Sequence, residues 1–187
     1  MIRIDQLDFK GKRALIRVDF NVPLNENLQI TDDTRIMAAV PTIQHVLDTG
    51  GSVVLMSHLG RPKNGPEERF SLRHLIAKLE EIFGREVHFL SDCIGAEAEE
   101  KSSALMPGEI LLLENLRFHK AETAGGEAFA ASLAKLGDIY VNDAFGTAHR
   151  AHASTAVIAA HFTEKKCFGY VMATEIENEG RVLQSDK

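Results

Sequence analysis

The chain has 187 residues, of which 44% are hydrophobic and 26% are charged, and its formal net charge is −6 at pH 7. This is the composition of an ordinary globular chain, and the length predicts one domain, or one domain with a short appendage. The negative charge disfavours a general nucleic-acid binder or a binder of acidic membranes.

The two cysteines and the amino-terminal segment indicate the cellular compartment in which the protein works. Cys93 and Cys167 form no C-x-x-C pair, and two buried, reduced thiols in a cytosolic protein is the preferred interpretation. The first thirteen residues carry charges throughout and therefore do not resemble a secretion signal. The apolar runs are far shorter than a membrane span. We therefore expect a cytoplasmic protein without membrane or nucleic-acid partners.

Short apolar runs, typical of buried strands, alternate along the chain with amphipathic segments, typical of helices. In chain order we predict a strand at 14–18, a helix at 33–47, a strand at 52–56, a helix at 71–83, a strand at 87–90, a helix at 94–103, a strand at 109–113, a helix at 127–136, a strand at 139–141, a further strand at 166–170 and a closing helix at 170–183.

This alternation predicts an α/β fold, a Rossmann-like three-layer domain with a parallel sheet covered by helices on both faces. In such a sheet, ligands bind beyond the carboxyl ends of the strands. The polar residues that follow the predicted strands are therefore candidates for a site. They are Asp19 and Asn21 after the first strand, His58, Gly60 and Arg61 after the second, Arg117 after the fourth, and His149 and Arg150 after the fifth.

Arginines dominate this edge, because Arg17 ends the first strand and Arg35 opens the following helix. A guanidinium group binds phosphate or carboxylate through two hydrogen bonds at once. Asp19 and Asn21 suit a hydroxyl group, which can donate to one side chain and accept from the other. The residues alone thus predict a small, hydroxylated polyanion as the ligand.

Each residue also has a simpler interpretation. A single arginine is more often a solvated surface charge, and Gly60 or Gly146 alone would serve backbone geometry. His149 and His152 have the H-x-x-H spacing of a metal pair but lack a third convergent ligand. No G-x-x-x-x-G-K-[ST] or G-x-G-x-x-G motif occurs, which weakens a flavodoxin-like or dehydrogenase alternative. A stand-alone anion-sensing or scaffolding domain stays open as a non-enzymatic alternative.

Four long segments are similar to signature segments of the phosphoglycerate kinase family, in the family's order and at about its spacing. They are LIRVDFNVP, MSHLGRPK, LLLENLRFHKAE and YVNDAFGTAHRAHAS. The resemblance implies a two-lobed glycolytic kinase that converts 1,3-bisphosphoglycerate and ADP to 3-phosphoglycerate and ATP. It also implies that the amino-terminal lobe binds the phosphoglycerate and the carboxyl-terminal lobe binds the magnesium nucleotide.

The same resemblance implies a role for each residue that matches a motif. Arg35 would be catalytic and face the reacting carboxylate end of the substrate. Arg17 and His149 would complete the basic patch from behind the direct contacts. The substrate-binding set would be Asp19, Phe20, Asn21, Arg35, His58, Leu59, Gly60, Arg61, Arg117 and Arg150.

The resemblance implies that residues 1–169 form the substrate-binding domain and residues 170–187 a hinge helix. That helix would lead to a nucleotide-binding domain absent from this chain, since the family's chain is roughly twice as long. We therefore expect an isolated lobe that is inactive alone and monomeric. It would bind 3-phosphoglycerate or 1,3-bisphosphoglycerate but no metal and no Mg-ATP or Mg-ADP of its own. The segment YVMATEIENEGRVL departs from the family pattern after its methionine, which puts hinge behaviour in doubt.

Overall fold

The computed structural model describes residues 2–147 and 150–185, with side chains through residue 178. A seven-stranded sheet runs through this part of the chain. Its strands are β1 (Ile2–Arg3), β2 (Arg13–Val18), β3 (Ser52–Met56), β4 (Val87–Phe89), β5 (Ile110–Leu112), β6 (Ile139–Asp143) and β7 (Lys166–Phe168). The helices are α1 (Thr34–Asp48), α2 (Ile76–Phe83), α3 (Ala96–Ser103), α4 (Ala121–Ala124), α5 (Glu127–Ala134) and α6 (Tyr170–Ser185).

The strands lie in the order β1-β7-β6-β2-β3-β5-β4, and every neighbouring pair is parallel. Parallel neighbours require crossover connections, and the helices between the strands supply them. The carboxyl ends of β2, β3, β5 and β6 therefore meet at one edge of the sheet, which confirms the predicted α/β class.

Alternation along the strands builds two cores, one on each face. Ile16 packs with Ile43 of α1 and Leu79 of α2 in the first core. The next residue towards the amino terminus, Leu15, packs with Leu133 of α5 in the second core. Successive strand side chains point to opposite faces, and both faces are covered here. The continuously apolar strands follow from this three-layer arrangement.

Several boundaries differ from the sequence prediction by a few residues. The helix predicted from residue 71 starts as a 3-10 turn, Leu72–Leu75, whose N-cap Ser71 accepts a hydrogen bond from the Arg73 N–H. The two-residue strand β1 and the single-turn helix α4 were not predicted. β1 pairs with β7, so that Ile2 lies opposite Cys167. A pairing between segments so far apart in the sequence cannot be predicted from a local pattern.

The closing helix α6 is attached to the sheet at its first turn. The Asp143 carboxylate Oδ1 at the end of β6 accepts hydrogen bonds from the N–H groups of Val171 at 2.9 Å and Met172 at 3.3 Å. The Thr42 hydroxyl accepts from the Tyr170 N–H at 2.9 Å. A carboxylate at a helix amino terminus satisfies free N–H groups. α6 begins at the predicted residue, and its role as a hinge stays a prediction.

Gly169 makes this attachment possible. A Cβ atom at this position would lie 2.4 Å from the Asp143 carboxylate and 2.8 Å from the Thr42 hydroxyl. Both distances are too short for a real side chain, so only glycine lets α6 start this close to β6. Within the described part of the chain, no helix has the length and apolar character needed to cross a bilayer.

Candidate functional site

The loops at the carboxyl edge of the sheet enclose a cavity of about 720 Å³. Four arginines from four separate segments meet there, as the sequence predicted. The lining consists of Asp19, Asn21, Arg35, His58, Gly60, Arg61, Arg117, Thr123, Gly146, Thr147, Arg150 and His152.

The loops after β2 and β3 are joined by a direct hydrogen bond. The Gly60 N–H donates to the Asn21 Oδ1 at 2.8 Å, and the Asn21 N–H donates to the Asp19 Oδ1 at 3.1 Å. Gly60 has a φ of +63°, and a Cβ there would lie 2.4 Å from the Phe70 ring. The tight turn after β3 therefore needs glycine both for its backbone angle and for its packing.

Arg117 is held at the cavity wall by the short 3-10 turn Leu116–Phe118. Its backbone N–H donates to the Asn115 Oδ1 at 3.0 Å, and its Nη1 lies 3.4 Å from the Gly60 carbonyl oxygen. Asn115 is buried and donates to the Leu59 carbonyl at 2.7 Å. These bonds tie the β5 loop to the β3 loop and fix the direction from which Arg117 enters the cavity.

Arg35 opens α1 and reaches back over the β2 loop. Its Nη1 donates to the Asn21 carbonyl oxygen at 2.9 Å and lies 3.5 Å from the Asp19 Oδ1. The side chain is 54% exposed, so its guanidinium keeps free donors towards the cavity and the solvent. Arg35 is thus placed at the open side of the pocket, where a second reactant could approach.

His58 forms the floor of the cavity and contacts a buried charge. It is 5% exposed, and its Nδ1 lies 2.9 Å from the Nη2 of Arg17, which is completely buried. Burial and, secondarily, the positive charges of Arg17, Arg117, His152 and Arg35 lower the pKa of His58 to about 2. The His58 ring is therefore neutral at physiological pH.

The cavity has a positive potential that an anion would neutralise. Partial burial and repulsion from Arg17, Arg61 and Arg150 lower the pKa of Arg117. Among the described residues of the lining, Asp19 is the only carboxylate, and it is engaged by Arg35. Guanidinium and imidazole groups are poor ligands for Mg²⁺, which prefers oxygen donors. The residues of this cavity therefore fit a phosphorylated or carboxylated ligand and do not fit a magnesium ion.

Two of the proposed direct contacts are placed differently. The side chains of Phe20 and Leu59 are buried in the first core and do not line the cavity. They pack in the core beneath the loops. The expectation that these side chains bind the ligand therefore has no geometric support. Arg17 lies behind His58, in the supporting position expected of it. His149 lies outside the described residues.

Four lining residues were not among the predicted contacts: Thr123, Gly146, Thr147 and His152. His152 had been considered only for a metal pair with His149. Its ring is buried, and its Nδ1 has no hydrogen-bond partner among the described atoms. Its place two residues beyond Arg150, in the same loop, was the signal that could have identified it. Thr123 gave no such signal, because it lies in α4, which was itself not predicted.

A second group of polar side chains lies outside this cavity. Donor atoms of Asp92, Cys93 and His119 are within 4.8 Å of one another. His119 Nε2 lies 2.7 Å from Asp92 Oδ1, so the two side chains already hydrogen-bond to each other, whereas Cys93 is buried.

Comparison with known proteins shows one consistent family. The family model described as phosphoglycerate kinase matches residues 4–187. Phosphoglycerate kinase of Porphyromonas gingivalis is 48% identical over an alignment that covers 98% of this chain and 50% of that protein. The enzyme of Campylobacter curvus is 52% identical over 94% of this chain and 44% of that protein. The chain thus spans about half the length of the curated relatives it matches.

Solved structures agree with the sequence comparison. Phosphoglycerate kinase of Coxiella burnetii superposes with a TM-score of 0.85 at 38% identity, covering 96% of this chain and 44% of that one. The enzyme of Pyrococcus horikoshii also gives a TM-score of 0.85, at 33% identity, covering 95% of this chain and 44% of that one. The similarity therefore extends over nearly the whole chain.

Proposed function

Because this chain belongs to the phosphoglycerate kinase family, we propose that its arginine-lined cavity binds 3-phosphoglycerate and 1,3-bisphosphoglycerate. The whole protein would then transfer phosphate between 1,3-bisphosphoglycerate and ADP, with a carboxylate as the acceptor in the reverse direction. The observation that carries this proposal is the convergence of Arg35, Arg61, Arg117 and Arg150 on one cavity with a single, already paired carboxylate.

The positions of the side chains suggest how the ligand lies. Arg61, Arg117 and Arg150 would clamp the 3-phosphate together with His58, since guanidinium groups bind phosphate oxygens in pairs. Asp19 and the Asn21 amide would take the hydroxyl group. The carboxylate end of the ligand would then face Arg35, at the open side of the cavity.

Phosphoryl transfer to a carboxylate requires positioning of the reactants and charge stabilisation rather than a strong base. A carboxylate is already a nucleophile at neutral pH, and phosphoryl transfer depends mostly on alignment and electrostatic stabilisation. Arg35 would stabilise the negative charge of the phosphoryl group in transfer. Arg35 is therefore our candidate catalytic residue.

The nucleotide and its magnesium would be held elsewhere. The cavity lining lacks a suitable set of oxygen ligands, and the sequence lacks a P-loop. We propose that a second, nucleotide-binding lobe supplies this part, as the half-length match to the relatives suggests. The 187-residue chain alone would then bind phosphoglycerate weakly, show no kinase activity, act as a monomer and work in the cytoplasm.

Isothermal titration of the 187-residue chain with 3-phosphoglycerate tests the proposal, with glycerate and inorganic phosphate as comparison ligands. We expect binding of 3-phosphoglycerate that exceeds the binding of either part of the molecule alone. A folded sample that gives no heat with millimolar 3-phosphoglycerate would overturn the proposal. Equal affinity for inorganic phosphate would instead favour a general anion-sensing domain.

A further inference from the structure

A chain of buried polar groups runs from the second core to the floor of the cavity. Arg17 is completely buried at the end of β2, and so is Glu122 in α4. The closest approach between Arg17 Nη2 and Glu122 Oε2 is 3.9 Å. A buried guanidinium needs a compensating charge and a partner for each donor. Glu122 supplies the charge, while other groups accept most of the hydrogen bonds.

Ser154 connects the two charges and gives the network a direction. Its hydroxyl accepts a hydrogen bond from Arg17 Nε at 2.8 Å, so its own proton is free to go to Glu122 Oε2, 2.5 Å away. The Ser154 backbone N–H donates to Glu122 Oε1 at 2.9 Å. Tyr140 adds to this network, since its hydroxyl donates to the Ser154 carbonyl oxygen at 2.7 Å. Glu122 therefore orients Ser154, and Ser154 orients Arg17 together with the Val18 carbonyl oxygen, which accepts from Arg17 Nη1.

The orientation of Arg17 determines the state of His58. A guanidinium only donates hydrogen bonds, so the Nδ1 of His58, 2.9 Å from Arg17 Nη2, must accept. A neutral imidazole whose Nδ1 accepts carries its proton on Nε2. Since His58 lines the cavity, this Nε2–H is a donor for the ligand.

The charges around His58 favour the same neutral form. Arg17 approaches from β2, Arg117 from the β5 loop, His152 from the loop after β6, and Arg35 from α1. Burial, reinforced by these groups, places the pKa of His58 far below neutrality. A second proton on the ring would face like charge on every side, and Nδ1 could no longer accept from Arg17.

We propose that Glu122 is a positioning residue for ligand binding: through Ser154 it orients Arg17, which holds His58 as the neutral Nε2–H tautomer that donates to the ligand's phosphate. This inference rests on the proposed function of the cavity. It assigns a task to a buried glutamate that does not line the cavity. It also explains why Arg17 is completely buried, whereas an arginine that bound the ligand directly would be exposed to the cavity.

Nitrogen-15 NMR of histidine side chains tests the inference on the unmodified chain. We expect the His58 signals of an Nε2–H tautomer that stays neutral from pH 5 to pH 8, and a change at Nε2 when 3-phosphoglycerate is added. An Nδ1–H tautomer, or an ordinary histidine titration near pH 6.5, would overturn the inference. This measurement needs no variant and is independent of effects on folding.

Ser154→Ala separates orientation from charge, because it removes the link but keeps Glu122 and Arg17. We expect a mixed His58 tautomer signal and about fivefold weaker binding of 3-phosphoglycerate, the effect of one ordinary hydrogen bond. Ser102→Ala is the matched control, since Ser102 is also a buried serine that accepts from an arginine, Arg13 Nη1 at 3.3 Å. The control should leave the tautomer and the affinity unchanged.

Glu122→Gln removes the negative charge of Glu122. The expected change in ligand affinity is opposite for a residue that only compensates positive charge and for a residue that positions Arg17. If Glu122 only lowered the positive potential, its neutralisation would strengthen binding of an anion. If Glu122 positions Arg17, the His58 tautomer becomes mixed and binding weakens. Stronger binding with an unchanged tautomer would overturn the inference, whereas the absence of binding by the unmodified chain would refute the proposed function instead.

Discussion

The amide oxygen of Asn21 accepts a hydrogen bond from the Gly60 N–H at 2.8 Å, and this bond joins the loops that follow two adjacent strands. One acceptor position of the Asn21 Oδ1 is thereby occupied, and we expect its Nδ2 to meet the ligand. Asn21 would then donate to a ligand hydroxyl, and Asp19 would be the acceptor of the pair. The bond also makes the two loops one unit, so that a distortion of either changes the shape of the cavity.

Arg117→Ala should weaken 3-phosphoglycerate binding by at least about tenfold, because a hydrogen bond to a charged group contributes about 1.5–3 kcal/mol. Titration calorimetry of the 187-residue chain measures this. Arg73→Ala is a suitable control, since Arg73 is exposed outside the cavity and pairs with Glu68. A dissociation constant unchanged by the Arg117 substitution would remove this residue from the proposed phosphate clamp.

Gly60→Ala should destabilise the fold and weaken ligand binding together. A non-glycine residue at φ +63° costs about 1–2 kcal/mol, and the added methyl group would overlap the Phe70 ring. Gly65→Ala is the control, because Gly65 also has a positive φ, +77°, but has open space around its Cβ position. Urea denaturation should show a larger loss for Gly60→Ala. Equal losses in the two variants would mean that the loop accommodates the methyl group without strain.

The stability contributed by Asp143 should fall as the pH rises. Burial raises the pKa of this carboxyl from 3.8 to about 6, although hydrogen bonds from Thr42, Met172 and Val171 act in the opposite direction. The folded state therefore holds this proton more tightly than the unfolded state does. The resulting stabilisation is complete below pH 3.8, and about 3 kcal/mol of it is lost as the pH passes through 6.

Asp143→Asn isolates this effect, since an amide keeps the acceptor for the α6 N–H groups and does not titrate. Unfolding free energies of both proteins at pH 4.5 and pH 7.5 provide the measurement. The variant should gain stability relative to the unmodified chain at the higher pH. A difference that does not vary with pH would show that Asp143 titrates normally. The other ionisable groups cancel in the comparison.

Arg13→Ala should reduce stability without changing ligand affinity. Arg13 begins β2, and its Nη2 lies 3.2 Å from the Asp138 Oδ1, at the edge of the sheet opposite the cavity. Partly exposed ion pairs contribute about 1 kcal/mol or less, so the expected loss is of that size. Denaturation and calorimetry on the same sample measure both quantities. A clear fall in affinity would indicate that strain is transmitted along β2 to Arg17.

The fold class and the meeting of the arginines could be predicted because both depend on local patterns. Continuous apolar runs mark strands buried on both faces, and the residues after parallel strands share an edge. β1 could not be predicted, since a two-residue strand has no periodicity. The sheet order was also out of reach, because pairing such as that of β2 with β6 depends on contacts between distant segments.

The supporting groups of the site were the least predictable part. Glu122 and Ser154 are completely buried, whereas a glutamate in an alanine-rich segment suggests an exposed helix face. Phe20 and Leu59 stand within motifs that bind ligands, and yet their side chains belong to the core. Sequence motifs identify the loops that form a site, but burial decides which residues in each loop can reach a ligand.

The parallel orientation of all seven strands separates two properties that are often linked in enzymes. Residues that would recognise the ligand emerge at one edge, and the turns at the other edge lie away from the cavity. Labels, tags or surface attachment at that second edge should therefore leave recognition intact. Substitutions that raise thermal stability at that edge should likewise leave the ligand affinity of the cavity unchanged.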